Sequence, residues 1–131
     1  MEVIVMDKQQ FLDEYKAVFN ENGKDVFFSP GRINVIGEHT DYNGGHVFPC
    51  AISIGTYGVY GPREDSTVAV YSANSAKEEN SKIITFDIND DQPQAAADEK
   101  WVNYFKGMLV YLKERNYNID HGFNLYIHGY L

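Results

Sequence analysis

Between the apolar runs INVI and VFPCAI lies IGEHTDYNGGH, Ile36 to His46, in which Glu38, His39, Thr40, Asp41, Tyr42 and His46 crowd around the pair Gly44-Gly45. These side chains can move protons, hold a cation, or trade hydrogen bonds with a hydroxyl-rich ligand. A phosphate loop is excluded, because no Gly-x-x-x-x-Gly-Lys-Ser/Thr pattern is present and no Lys or Arg follows the glycines to hold a phosphate. Asn43-Gly44 reads instead as a tight turn, both central residues at positive φ, closing a hairpin between the two apolar runs. His39, Asp41 and His46 are metal-ligand types, but they lack the helical spacing of familiar zinc sites, and no metal ligand is assigned. Glu38 and Asp41 could divide acid and base work, which their spacing neither supports nor excludes.

Strand geometry offers a further reading. If residues 32–38 are extended, Arg32, Asn34, Ile36 and Glu38 share a face, since side chains alternate with a period of two. A guanidinium, an amide and a carboxylate together suit a polar, hydroxyl-rich ligand, the arginine offering a rigid fork for an anion such as a phosphoryl group. The competing reading is a structural Arg32–Glu38 ion pair with His39 and Asp41 as turn residues.

The elements that must position these groups follow from pattern. Asp7 caps a helix with Phe11, Leu12, Tyr15, Val18 and Phe19 at helical spacing, closed by Asn22-Gly23. VFFSPGRINVIGE and HVFPCAISIGTYGVYG, rich in Val, Ile, Phe and Tyr, read as strands on either side of the polar stretch, followed by short strands at 67–71 and 82–88. DDQPQAAADE is a surface connection, after which Asp98 caps a helix with Trp101, Phe105, Met108 and Leu112 on one stripe, widened by Tyr104, Leu109 and Tyr111. Gly107 inside that helix predicts a close neighbour to its backbone. FNLYIHGYL is a last strand. Helix, strands, helix, strand implies an α+β fold with a mixed, mostly antiparallel sheet flanked by helices.

Composition narrows the function. The chain of 131 residues is one domain in length, 44% hydrophobic, and carries a formal charge of −8. No Lys/Arg cluster exists to displace counterions, so nucleic acid is not an expected partner. No apolar run approaches a membrane span and no signal peptide is visible, so no membrane partner is expected. With Cys50 the single cysteine, these features point to a reducing cytoplasm. Cys50, in VFPCAI, reads as a small core residue.

SPGRINVIGEHTDYNGGHVFPCAI, residues 29–52, closely resembles the signature of the galactokinases, a family of the GHMP small-molecule kinases. The likeness extends through TVAVYSAN, WVNYFKG and GFNLYIHG. It implies the N-terminal part of a GHMP-kinase fold, and transfer of the ATP γ-phosphoryl group, with Mg2+, to the C1 hydroxyl of α-D-galactose. By the same resemblance Glu38, His39, Thr40 and Asp41 line the galactose site. Arg32 is the catalytic residue that stabilises charge on the transferring phosphoryl group. Ser72 contacts the nucleotide, and Trp101 either borders the adenine or belongs to the core. Rival readings within the resemblance are an N-acetylgalactosamine kinase and a non-catalytic sensor binding galactose and ATP.

The chain departs from the family pattern chiefly in what it lacks. Galactokinases continue past the strand matching FNLYIHG into a phosphate-binding Pro-x-Gly-x-Gly-Leu-Ser-Ser-Ser-Ala loop, a catalytic aspartate, a magnesium-binding glutamate and a second lobe. Residues 1–131 are therefore expected to be a galactose-binding N-terminal domain cut before the phosphate loop, inactive alone and prone to self-association through the surface the second lobe would cover.

Overall fold

A computed structural model describes residues 7–74, 82–90 and 100–130, the side chain of Asp41 excepted. Helix α1 spans Lys8–Phe19, with the Asp7 carboxylate accepting from Gln9 N at its start. It closes at Asn20, left-handed at φ 56° with its N–H on Lys16 O, and not at Asn22-Gly23. The strands are β1 (Asp25–Ile36), β2 (Phe48–Pro62), β3 (Thr67–Ser72), β4 (Ile84–Asp87) and β5 (Phe123–Gly129). A turn of 3-10 helix at Lys100–Val102 leads into helix α2, Asn103–Glu114.

One sheet is formed, in the order β1-β2-β5-β3-β4. The pairs β1/β2, β2/β5 and β3/β4 are antiparallel and β3/β5 is parallel, so the sheet is mixed and mostly antiparallel, as the element order implies. Alternation along the strands separates two cores. Tyr126 and Val59 meet Phe11 and Tyr15 of α1, whereas Val68, Val70 and the half-buried Leu125 meet Val102 and Leu109 beside and within α2. Neighbouring residues Leu125 and Tyr126 serve opposite clusters, which puts the two helices on opposite faces of the sheet.

Three expectations are corrected. Of the stripe expected on α2, Leu109 is buried and Trp101 and Phe105 pack against the core, but Met108 is 57% exposed, Tyr104 and Tyr111 also face out, and Lys106 is buried instead. Lys106 buries its stem because its ammonium reaches Asp90 Oδ2 at 2.6 Å, beside the Phe86 ring. A Cβ at Gly107 would meet no described atom within 4 Å, so no close packing explains that glycine. Cys50 is exposed, because its segment of β2 lies beyond the core. The expected cap Asp98 and most of DDQPQAAADE lie outside the described residues.

β1 and β2 outrun their neighbours. The last β2/β5 rung is Thr56↔Gly129, so residues 48–54 pair with β1 alone and form a projecting two-stranded arm. Ile33, Val35, Ile36 and Phe48 are all exposed on it, an unusual density of apolar surface.

Candidate functional site

The polar stretch sits at the tip of this arm. Residues 37–47 connect β1 to β2 and include a 3-10 turn at Asp41–Asn43. The two-residue turn expected at Asn43-Gly44 is therefore replaced by a longer connector. Gly44 has φ +71° and Gly37 +102°, but Asn43 is not at positive φ. The connector instead makes its bends at the glycines and braces them with side chains.

Thr40 is its centre. Thr40 Oγ1 lies 2.8 Å from His46 O and 3.0 Å from Gly37 O, while the Thr40 carbonyl accepts from Asn43 N at 3.1 Å and Gly45 N at 2.7 Å. Asn43 Nδ2 donates to His39 O at 2.9 Å. His39 Nδ1 and the Tyr42 hydroxyl are 2.9 Å apart, orienting an exposed imidazole. Glu38 is exposed beside them, and Asp41 begins the 3-10 turn.

Arg32 is exposed in β1 opposite Ala51. The face expected for Arg32 through Glu38 is kept only by Arg32 and Asn34, which stay in register. A register shift between Asn34 and Ile36 interrupts the alternation, and β1 ends at Ile36, leaving Glu38 in the connector. No ion pair joins Arg32 to Glu38, so the structural pair considered from sequence is also absent.

Strand direction gathers more residues at this end of the sheet. β1, β5 and β3 all run the same way, so the C-terminal ends carrying Arg32, Gly129 and Ser72 point together. Ser72 lies in the row Ser72–Ile127–Gly58–Phe27, and Arg32 stands about 16 Å further along β1. Ser72 is 8% exposed, which leaves its hydroxyl little access to a ligand.

Asn74 was not singled out from sequence. Its Nδ2 donates to Gly129 O and its Oδ1 accepts from Gly129 N, each at 2.7 Å, extending the β3/β5 pairing by one side-chain rung. An Asn just past a strand reads as an ordinary turn residue, so only the tertiary pairing reveals it. Trp101 packs against the α2-side core and edge-on to Phe105, and it borders an open depression with Lys100, Asn103 and Tyr104. Asn103 Oδ1 is buried there without a hydrogen-bond partner among the described residues. Among the described residues no group of three His, Cys, Asp or Glu could hold a metal ion.

Comparison with known proteins agrees with this architecture. The Methanococcus jannaschii mevalonate kinase crystal structure superposes with a TM-score of 0.61 at 14% identity, covering 81% of this chain and 32% of that one, a likeness of fold alone. A crystal structure of Lactococcus lactis galactokinase complexed with galactose superposes with a TM-score of 0.81 at 47% identity, covering 94% of this chain and 31% of that one. The fold is thus that of the GHMP kinases. Residues 13–62 match the galactokinase galactose-binding signature. Galactokinase of Limosilactobacillus reuteri (strain DSM 20016) is 86% identical over 126 residues, which make up 96% of this chain and 32% of that protein. Galactokinase of Limosilactobacillus fermentum is 59% identical over the same length. Over the part it spans, the sequence is closely similar to that of galactokinases, and that part is 32% of the length of the curated relative from L. reuteri. Among the described residues no helix is long and apolar enough to cross a membrane.

Proposed function

We propose that this chain is the sugar-recognising domain of a galactokinase, which transfers the ATP γ-phosphoryl group to the C1 hydroxyl of galactose. The observation that carries the reading is the galactose-binding signature over residues 13–62, which takes in the whole β1–β2 arm and its connector. An exposed connector with Glu38, His39 and Asp41 suits a ligand with several hydroxyls, since carboxylates accept hydrogen bonds that neutral sugars can donate. Arg32, exposed near that connector and unpaired with any described carboxylate, is available to an anion. It would act electrostatically on the transferring phosphoryl group, as a loose transition state requires.

In this reading residues 1–131, which span about a third of the length of the relative from L. reuteri, are inactive alone. ATP would lie toward the ends of β3 and β5. Ser72, given its burial, acts there through the strand end it belongs to more than through its hydroxyl. Magnesium would come with the nucleotide and residues outside this chain, and the site of action would be the cytoplasm. The apolar arm favours self-association of the isolated domain.

Galactose and N-acetylgalactosamine titrated side by side into the full-length protein test the assignment. Tighter binding of galactose supports it. Preference for N-acetylgalactosamine, or galactose binding without ADP release from ATP, points to the related kinase or to a sensor.

A further inference from the structure

Thr40 ties together the two ends of the connector, and its environment is shaped around it. Its hydroxyl, with one proton to give, faces Gly37 O and His46 O, and its backbone N–H also donates to Gly37 O at 3.2 Å. Two glycines make the room. A Cβ at Gly37 would stand 2.9 Å from both Thr40 Oγ1 and His46 O, at a φ of +102° that L side chains rarely adopt, and one at Gly45 would stand 2.8 Å from Thr40 Cβ.

We propose that Thr40 is a positioning residue for sugar recognition: its hydroxyl locks residues 37–47 in the shape that carries Glu38 and Asp41, and it is not itself a ligand of the sugar. This rests on the reading of the connector as the galactose site. The resemblance groups Thr40 with its neighbours as one lining of that site. Thr40 and Glu38 are both exposed, but the geometry separates them by their bonds: the hydroxyl proton of Thr40 is engaged by the loop's own carbonyls, while the Glu38 carboxylate has no partner among the described residues.

The test compares wild type, Thr40→Val, Thr40→Ser and Gly37→Ala in the full-length protein. Affinities are read by ligand-observed NMR for galactose, for its 2-, 3-, 4- and 6-deoxy analogues, and for ATP. Thr40→Val is expected to weaken galactose about 10-fold, the equivalent of one or two hydrogen bonds. It should weaken every deoxy analogue by the same factor and leave ATP unchanged. Thr40→Ser should stay within about 3-fold of wild type, since the hydroxyl survives. Gly37→Ala should imitate Thr40→Val, and the two combined should cost little more than either, as expected of groups acting through one structure.

A penalty that vanishes for one deoxy analogue makes Thr40 a direct ligand and overturns the proposal. So does an unchanged galactose affinity in Thr40→Val, or loss of cooperative melting, which would make Thr40 a residue of general stability. Wild type that binds galactose without phosphorylating it refutes the kinase reading and leaves the Thr40 comparison decisive. Wild type that binds no sugar overturns both.

Discussion

Asn74 holds the end of β5 by both backbone groups of Gly129, donating to its carbonyl and accepting from its N–H at 2.7 Å each. On the other side Tyr130 N donates to Gly55 O at 3.0 Å, so the strand end is fastened between β3 and β2. Asn74→Ala removes two bonds and is expected to cost about 1–2 kcal/mol in urea unfolding. Amide exchange at Gly129 should quicken well beyond the global change. Asn74→Asp keeps the acceptor but sets a carboxylate against a carbonyl, and should be no better than alanine. Unchanged exchange at Gly129 in both variants would refute the clamp.

Gly107 predicts the opposite sign. A helical glycine with open space at its Cβ position loses backbone entropy on folding with no packing to offset it. Gly107→Ala should stabilise by about 1 kcal/mol, read as a raised unfolding midpoint with no change in the slope against denaturant.

Cys50 should be chemically accessible. Its thiol is exposed on the arm of the single chain, so at concentrations dilute enough to keep the domain monomeric a maleimide should modify it under native conditions at a rate close to that of the unfolded chain. A thiol that reacts only after denaturation would show that the arm is covered, for instance by self-association.

Acid should weaken the fold through the carboxylates beneath α1. Hydrogen bonds from Tyr15 at 2.6 Å and Asn124 at 2.7 Å hold the Glu21 carboxyl below the usual carboxylate range. For Glu14, burial pushes upward, but hydrogen bonds from Tyr126 and Gln10 and the neighbouring His128 outweigh it and leave the group lowered. A depressed folded pKa gives stability that is present above the unfolded value of about 4.3 and lost as pH falls through the folded one. Melting temperature should therefore hold at neutral and mildly acidic pH and fall below about pH 4. Glu21→Gln should remove one group's share of that fall, and an unaltered acid limb would contradict the assignment.

Where sequence reading succeeded and where it stopped has a physical pattern. α1 and the five strands are legible because Phe11 and Tyr15 repeat at helical spacing and the strands are rich in β-branched and aromatic residues. The face running through Trp101 and then Phe105 and Leu109 of α2 was legible but its margin was not, because hydrophobicity alone cannot foresee that Lys106 lies 7% exposed when Asp90 waits at the end of its stem. Cys50 was misplaced because burial statistics describe cores, and nothing local in VFPCAI tells that β2 outruns β5. At the candidate site the residue types were legible and their geometry was not. The register shift after Asn34 breaks the alternation that would have joined Arg32 to Glu38, and Thr40's bonds to Gly37 and His46 depend on a connector path that no propensity encodes.

The central claim is tested most directly by ADP release from Mg-ATP in the full-length protein, with and without galactose, alongside Arg32→Ala. The account predicts galactose-dependent release that falls by about 10³-fold or more in the variant, the scale of losing an arginine that stabilises a transferring phosphoryl group, and none from residues 1–131 alone. Release that ignores galactose, or that survives Arg32→Ala, would contradict it.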